Sequence, residues 1–370
     1  MVKLEEKILA SLSLASYLDT LGFKNGEWEF NYDNSIDSEP IANLTWFHIA
    51  HHYFSLGGSN IDISKWDASD DTILMLATAR GNLKGGENKD YINEFIKQLD
   101  ELEKDNRQSG VQTIKSLRTL KSTKKSSSIE YSSKMGGNGS AMRTSSLGLI
   151  YYDEKDIDKL IKESIESSRL THNYPLGFLG GLVTALFTSY AVNNIEPIKW
   201  SKKLIKLYES GKIDKFMKTT DIYDNYEKDK DKFWDMWYKY NESRLSYIVN
   251  KKDSRKFYWA SERIKDLLEY TPGVSKKDSD FTYWGASGIG ALIISYDSLL
   301  NSIVDGKVSW DSLVFFSALH FGDNDSTGII CGAWYGALYG FYQINNKKME
   351  ELEFYYEIKK ISSEILKKIN

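Results

Sequence analysis

Two short segments combine carboxylates and hydroxyls at spacings that suit metal binding. The first is residues 69–72 (SDDT), which precede the apolar run ILMLATA. The second is residues 323–327 (DNDST), which precede a long uncharged run. Each segment is typical of the N-terminus of a helix, where one such side chain satisfies free backbone N–H groups. Carboxylates and hydroxyls in this number are also the oxygen ligands that hard divalent cations prefer.

The pairing of acids within each segment favours metal binding over capping alone. Asp70 and Asp71 are adjacent, and Asp323 and Asp325 are separated by one residue. Like charges this close repel each other unless a cation lies between them. The sequence therefore predicts two helix N-termini that face each other and supply ligands for a pair of divalent ions. Capping without a metal is the alternative.

Four glycines follow the second segment at intervals of four residues: Gly328, Gly332, Gly336 and Gly340. This spacing puts them on nearly one face of a helix. Because each glycine inside a helix costs about 0.5–1 kcal/mol relative to alanine, the set needs a structural reason. We expect the backbone of another helix to pack directly against this face, which we call the glycine ridge.

Further segments carry groups that suit ligand binding. The glycine-rich turn MGGNGSAMR, residues 135–143, leads into a helix, and backbone N–H groups at such a turn can hold a phosphate. The loop at residues 23–33 contains an Asn-Gly turn signal followed by Glu29. His172 lies in a break before a long uncharged segment. None of these signals is specific when taken singly.

The sequence predicts an all-α protein. Only 4 of its 370 residues are proline, and no stretch alternates apolar and polar residues with the period of a strand. We expect one large orthogonal helical domain over residues 1–370, with the serine- and lysine-rich residues 113–133 as an exposed loop. Residues 175–195 are uncharged over the length of a membrane span. Their polar residues and the lack of a basic flank favour the central helix of a soluble bundle.

Charge and cysteine content narrow the classes of function. The formal net charge is −4, and lysines are scattered among acids, so we expect no binding to nucleic acid. The single cysteine, Cys331, excludes an intramolecular disulfide and fits a reducing compartment. The N-terminal apolar stretch is interrupted by polar residues, which is typical of an amphipathic helix rather than a secretory signal. We expect a cytoplasmic monomer that binds no membrane.

Four motifs, taken in order, resemble those of the ADP-ribosylhydrolases, the family that includes dinitrogenase reductase-activating glycohydrolase. They are residues 69–72, 137–143 (GNGSAMR), 171–175 (THNYP) and 322–327 (GDNDST). Three other features are most similar to the ADP-ribosylarginine hydrolase branch: residues 19–22 (DTLG), residues 25–30 (NGEWEF) and Trp66. The resemblance extends from about Leu9 to the C-terminal helix.

The resemblance implies a single all-helical domain whose central cleft holds two magnesium ions. The positions that match the family's metal ligands are Ser69, Asp70, Asp71, Asp323, Asp325 and Ser326. The positions that match its ADP-ribose contacts are Gly137, Asn138, Gly139, Ser140, Met142, Arg143, His172, Tyr283, Gly285 and Ser287. Glu29 matches a glutamate on a loop over the metals. The residues expected to take part in catalysis are Asp70, Asp71, Asp325 and Glu29.

The implied activity is magnesium-dependent hydrolysis of the N-glycosidic bond between ADP-ribose and arginine on proteins. The implied ligands are an ADP-ribosylated protein and ADP-ribose. Two alternatives remain open: hydrolysis of another ADP-ribose linkage, such as that to serine, and a non-catalytic ADP-ribose-binding protein. Non-catalytic relatives typically lose metal carboxylates, so the presence of all four aspartates favours an enzyme.

Overall fold

The computed structural model describes residues 2–30, 36, 38–246, 248, 260–271 and 283–370. These residues are mostly helical, which confirms the all-α prediction. The helices are α1 (Leu4–Phe23), α2 (Glu39–Ser55), α3 (Asp70–Lys84), α4 (Asn88–Leu102), α5 (Val111–Thr123), α6 (Ser145–Ile150), α7 (Ile157–Arg169), α8 (Pro175–Val192), α9 (Trp200–Glu209), α10 (Lys212–Met217), α11 (Tyr223–Asp229), α12 (Asp231–Tyr240), α13 (Ala260–Leu268), α14 (Gly288–Asn301), α15 (Trp310–Ala318), α16 (Asn324–Tyr339) and α17 (Tyr355–Ile369). The strands β1 (Ile303–Val304) and β2 (Lys307–Val308) form a small antiparallel hairpin.

Helices α1 and α16 pack antiparallel with their backbones in direct contact. A Cβ atom added at Gly332 would lie 2.1 Å from the carbonyl oxygen of Leu14, closer than real Cβ contacts allow. Gly328 and Gly336 are similarly close to the α1 backbone. The fourth glycine differs, because Gly340 ends α16 with a φ of +62°. The glycine ridge is therefore confirmed over its first three members, and α1 is the helix that packs against it.

Helix α8 runs through the centre of the fold. All of its residues except Leu176 are buried, and it contacts α6, α7, α14 and α16. Within the described part of the chain it is the one helix long and apolar enough to cross a membrane, and 94% of it is buried inside the protein. Lys7 of α1 reaches its C-terminal end, where the ammonium donates to the carbonyl oxygen of Val192 (2.8 Å). This burial matches the prediction of a core helix.

The stretch expected to be an exposed loop, residues 113–133, is partly a helix. Helix α5 includes residues 113–123, so the loop prediction was wrong there. Leu117 and Leu120 are buried and Ile114 packs against the core, which gives α5 an apolar stripe that faces α4. Residues 124–133 follow short turns and are exposed in part.

We expect Gly332→Ala to lower the free energy of unfolding by about 1–3 kcal/mol, because the added methyl group forces α1 and α16 apart. Chemical denaturation followed by circular dichroism measures the change. Gly110→Ala is the control, since a Cβ atom there would meet only the hydroxyl of Thr113, at 3.7 Å. Equal stability of the Gly332→Ala variant and the native protein would contradict the close contact.

Candidate active site

The N-termini of α3 and α16 face each other in the interior. Ser69 caps α3, and its hydroxyl oxygen accepts a hydrogen bond from the backbone N–H of Asp71 (3.1 Å). On the other helix, the Ser326 hydroxyl donates to Oδ2 of Asp71 (2.8 Å). The backbone N–H of Ser326 also donates to Oδ1 of Asp325 (2.7 Å). These bonds confirm that the two acidic helix N-termini meet, as their composition predicts.

A further aspartate, which the sequence analysis did not assign to the site, joins this cluster. Asp19 of α1 is fully buried and accepts hydrogen bonds from the Ser69 hydroxyl (2.6 Å) and from the backbone N–H and hydroxyl of Thr72. Carboxylate oxygens of Asp19, Asp71 and Asp325 lie within 4.8 Å of one another. The signal was present, because Asp19 is the one charged residue in a long apolar and serine-rich part of α1. Its hydrogen bonds hold the start of α3 against α1.

A second group of carboxylates shares Asp325 with the first. Oxygens of Glu29, Asp323 and Asp325 also lie within 4.8 Å of one another. Oδ2 of Asp323 accepts a hydrogen bond from the side-chain amide of Asn138 (3.0 Å). Oδ1 of Asp323 is buried and has no hydrogen-bond partner among the described residues. A buried carboxylate oxygen without a partner is the position at which a cation is expected.

Burial raises the pKa values of these carboxyl groups. Loss of water, together with the charges of Asp19 and Asp323, raises the pKa of Asp70 to about 8. Burial and the charge of Asp70 raise the pKa of Asp71 well above its usual range, and burial and the charge of Asp71 do the same for Asp325. A donor set made only of oxygen, with several buried acids, fits a hard divalent cation such as Mg²⁺. These acidic groups could therefore hold a metal.

A cleft of about 470 Å³ opens beside the carboxylates. Several residues predicted from the sequence line it: Glu29, Asp70, Asp71, Gly137, Asn138, Gly139, Met142, His172, Tyr283, Asp323 and Ser326. Ser69 and Asp325 lie behind this surface, within the hydrogen-bonded cluster. The metal-ligand positions and most of the ligand-contact positions thus meet in one place.

Four predicted contact residues support the cleft from behind. Arg143 is fully buried and donates to the carbonyl oxygens of Gly139 (3.0 Å) and Ser167 (2.8 Å). The Ser140 hydroxyl donates to the carbonyl oxygen of Gly177 (2.7 Å). The remaining two are Gly285, whose carbonyl oxygen binds the Asn138 amide, and Ser287, which caps α14. None of these four residues is part of the cleft lining, and each is hydrogen-bonded to other protein atoms.

His172 borders the cleft as a neutral imidazole. Its side chain is buried, and burial together with the charge of Arg143 lowers its pKa to about 3. Its Nδ1 forms a hydrogen bond with the hydroxyl of Thr171 (2.9 Å). A Cβ atom added at Gly139 would lie 2.5 Å from the His172 ring, so this turn position requires glycine. His172 therefore supports the glycine-rich turn and carries no charge at neutral pH.

Aromatic residues hold the loop that carries Glu29. Trp28 is buried, and its ring meets that of Trp66 edge-on, with 5.9 Å between centroids. Phe30 has a φ of +44°, which is uncommon for a residue other than glycine, and its ring lies 5.8 Å from that of Tyr283. These contacts keep Glu29 beside the aspartates. Of the predicted loop at residues 23–33, residues 31–33 lie outside the described residues.

One wall of the cleft was missed by the sequence analysis. Residues 108–113, Lys134 and Ala286 line it, and so does Phe30. Residues 108–110 precede α5 and residues 111–113 begin it; from residue 113 onward this helix was predicted to be a solvated loop. The apolar spacing of Ile114, Leu117 and Leu120 was the signal that could have identified this helix.

Comparison with known proteins places the chain among ADP-ribosylglycohydrolases. The model of that family matches residues 2–370. The chain is 35% identical to ADP-ribosylhydrolase ARH1 of Dictyostelium discoideum, over 98% of this chain and 94% of that protein. It is 34% identical to a putative ADP-ribosyl glycohydrolase of Acanthamoeba polyphaga mimivirus, over 93% of this chain and 66% of that protein. Its fold is similar to a solved ADP-ribosylglycohydrolase-related protein complex, with a TM-score of 0.60 over 99% of both chains at 15% identity.

We expect Asp70→Asn to raise the melting temperature of protein kept in EDTA and to lose most of the rise that MgCl₂ produces. The substitution removes a carboxyl group whose ionised form is disfavoured by burial and by neighbouring acids, and it also removes a ligand. Differential scanning fluorimetry with and without MgCl₂ measures both effects. Asp100→Asn is the control, because Asp100 is exposed on α4. If MgCl₂ raised the melting temperature of Asp70→Asn as much as that of the native protein, a role for Asp70 in metal binding would be contradicted.

Proposed function

The chain belongs to the ADP-ribosylglycohydrolase family, and we propose that it hydrolyses the bond between ADP-ribose and arginine on modified proteins, with magnesium as its metal. The similarity to ADP-ribosylhydrolase ARH1 supports an enzyme that cleaves an ADP-ribosyl linkage. Residues 25–30, which resemble the ADP-ribosylarginine hydrolase branch, support arginine as the modified residue. The proposal extends to two magnesium ions and to a protein substrate.

The observation that carries this proposal is the sharing of Asp325 between two carboxylate groups. Asp19 and Asp71 form one group with it, and Glu29 and Asp323 form the other. The spacing of these oxygens suits two cations held side by side. A non-catalytic ADP-ribose-binding protein has no need for this buried charge, which costs stability in the absence of a cation.

The residues that would hold the two magnesium ions are Ser69, Asp70, Asp71, Asp323, Asp325 and Ser326. The carboxylates of Asp19 and Glu29 lie within 4.8 Å of Asp325 and would complete the two groups. When bound, magnesium would orient the ribose hydroxyls and lower the pKa of a bound water. The hydrogen bonds from Ser326 to Asp71 and from Asn138 to Asp323 fix the orientation of those carboxylates before any ligand arrives. The protein therefore needs little rearrangement to present its oxygen ligands.

In the reaction, water adds across the glycosidic bond. The water oxygen joins the anomeric carbon of the ribose, the bond from that carbon to the guanidinium nitrogen breaks, and one proton of the water ends on that nitrogen. We assign the transfer of this proton to the carboxylate of Glu29, because Glu29 lines the cleft beside Asp323. The acidic surroundings also stabilise the oxocarbenium-like charge that develops on the ribose.

The glycine-rich turn shapes the rest of the cleft. Two backbone hydrogen bonds join this turn to the segment before α14. The Asn138 N–H donates to the carbonyl oxygen of Ala286 (2.9 Å), and the Gly288 N–H donates to the carbonyl oxygen of Gly136 (3.0 Å). Gly137 and Gly139 line the cleft, and the absence of a side chain at Gly139 leaves room for the His172 ring. The paired rings of Phe30 and Tyr283 supply an apolar surface at the opening.

We expect the purified protein to release ADP-ribose from a peptide modified on arginine in the presence of MgCl₂, and to lose this activity in EDTA. A peptide modified on serine, assayed in parallel, tests the alternative linkage. Asp325→Ala should be inactive on either peptide, because it removes the carboxylate that both groups share. Full activity in EDTA would contradict the metal mechanism, and release from the serine peptide alone would replace arginine with serine as the linkage.

We expect Glu29→Gln to reduce single-turnover hydrolysis strongly while leaving ADP-ribose affinity close to that of the native protein. Glutamine keeps the size of the side chain but cannot accept the proton. Single-turnover assays and calorimetry of ADP-ribose binding separate the two effects. Glu27→Gln is the matched control, since Glu27 lies on the same loop and is 60% exposed. Native turnover in Glu29→Gln would assign proton transfer to another carboxylate.

A further inference from the structure

Among the described residues that line the cleft, Lys134 is the one with a positive charge. The other charged side chains that line it are acids: Glu29, Asp70, Asp71 and Asp323. His172 is neutral at physiological pH because burial lowers its pKa to about 3. A phosphate-bearing ligand that enters this cleft therefore meets one side chain able to bind it through charge.

The backbone around Lys134 is held in place. Its own N–H donates to the hydroxyl of Ser132 (3.3 Å), and the N–H of Met135 donates to the carbonyl oxygen of the same serine (2.9 Å). The Met135 side chain is buried. The backbone carbonyl oxygen of Met135 packs so closely on Gly177 that a Cβ atom added there would lie 2.6 Å from it. The base of the lysine side chain thus has a fixed position at the edge of the cleft.

The ammonium group of Lys134 is available to a ligand. The side chain is exposed, and no hydrogen bond or ion pair joins its ammonium to any described residue. Other lysines of the chain differ, since Lys121 lies 3.5 Å from a carboxylate oxygen of Asp100, and Lys232 pairs with Asp229. An incoming anion therefore does not have to displace a described protein partner from the Lys134 ammonium.

Lys134 is close in sequence to a residue that contacts the carboxylate cluster. Lys134 lies four residues before Asn138, whose amide binds Asp323, so their Cα atoms are at most about 14 Å apart. The flexible lysine side chain can shorten this distance further. A diphosphate linked to the ribose at the carboxylate cluster would then come within its reach.

We propose that Lys134 binds the diphosphate of the ADP-ribosyl group and so contributes to substrate affinity. This inference rests on the proposed function, because it assumes that the ribose of an ADP-ribosyl group lies at the carboxylate cluster. Lysine offers a compact charge that makes charge-assisted hydrogen bonds to phosphate oxygens. It also offsets the repulsion between the diphosphate and the acids of the cleft.

The test compares ADP-ribose binding to the native protein with binding to Lys134→Met, Lys134→Arg and Lys125→Met, by calorimetry in MgCl₂. Lys134→Met should weaken binding about ten- to hundredfold, as expected for a lost hydrogen bond to a charged group. Lys134→Arg should recover most of the affinity because it keeps the charge. Lys125→Met should bind as the native protein does, since Lys125 is exposed and does not line the cleft.

Two further measurements separate a phosphate contact from a general change in the protein. Sodium chloride should weaken ADP-ribose binding less steeply in Lys134→Met than in the native protein, because one ionic contact is absent. The variant should raise KM for the modified peptide and leave kcat nearly unchanged. Melting temperatures close to the native value show that the variants are folded.

The outcomes distinguish the two proposals. Native affinity and native salt dependence in Lys134→Met would overturn the role of Lys134 and leave the hydrolase function intact. Failure of the native protein to bind ADP-ribose or to cleave either modified peptide would overturn the proposed function itself. Weaker binding in Lys134→Met that Lys134→Arg restores, with Lys125→Met unchanged, supports the diphosphate contact.

Discussion

The direct backbone contact between α1 and α16 is the constraint on which the site depends. It continues to the end of α1, where a Cβ atom at Gly22 would lie 2.7 Å from the carbonyl oxygen of Asn324. The contact therefore aligns the last turn of α1 with the first turn of α16. Asp19 lies on that turn, and its carboxylate comes next to those of Asp325 and Asp71. Helix α3 then joins this pair through the hydrogen bonds of Asp19 to Ser69 and Thr72.

Burying several carboxylates in one place costs folding free energy, and two features of the fold reduce that cost. The N-termini of α3 and α16 both point at the cluster, and the positive ends of their dipoles favour nearby carboxylates. Ser69, Ser326 and Asn138 also donate hydrogen bonds to carboxylate oxygens of the cluster. On the proposed function, a bound cation would offset the repulsion that remains. The same buried acids would then serve the reaction and lower the stability of the protein without metal.

The sequence predicted the parts of the site that depend on local patterns. Acids and hydroxyls before apolar runs identified the N-termini of α3 and α16, and the glycine spacing identified a helix contact. It could not identify α1 as the partner, since that choice depends on packing between distant residues. For the same reason Asp19 was missed, and Arg143 was assigned to the ligand rather than to the support of Gly139. The serine- and lysine-rich composition of α5 concealed its buried leucines, so the wall at residues 108–113 was also missed.

The pairing of α1 with α16 has a consequence for how the protein is made. The Ser11 hydroxyl donates to the carbonyl oxygen of Ala333, a residue 322 positions later in the chain (2.8 Å). At roughly 5–20 residues per second, a ribosome needs on the order of 15–60 s to travel between them. During that time the small residues of α1 lack the surface that covers them, and contacts of such long range form slowly. The first helix of the newly made chain therefore has no partner to pack against until translation has passed the glycine ridge.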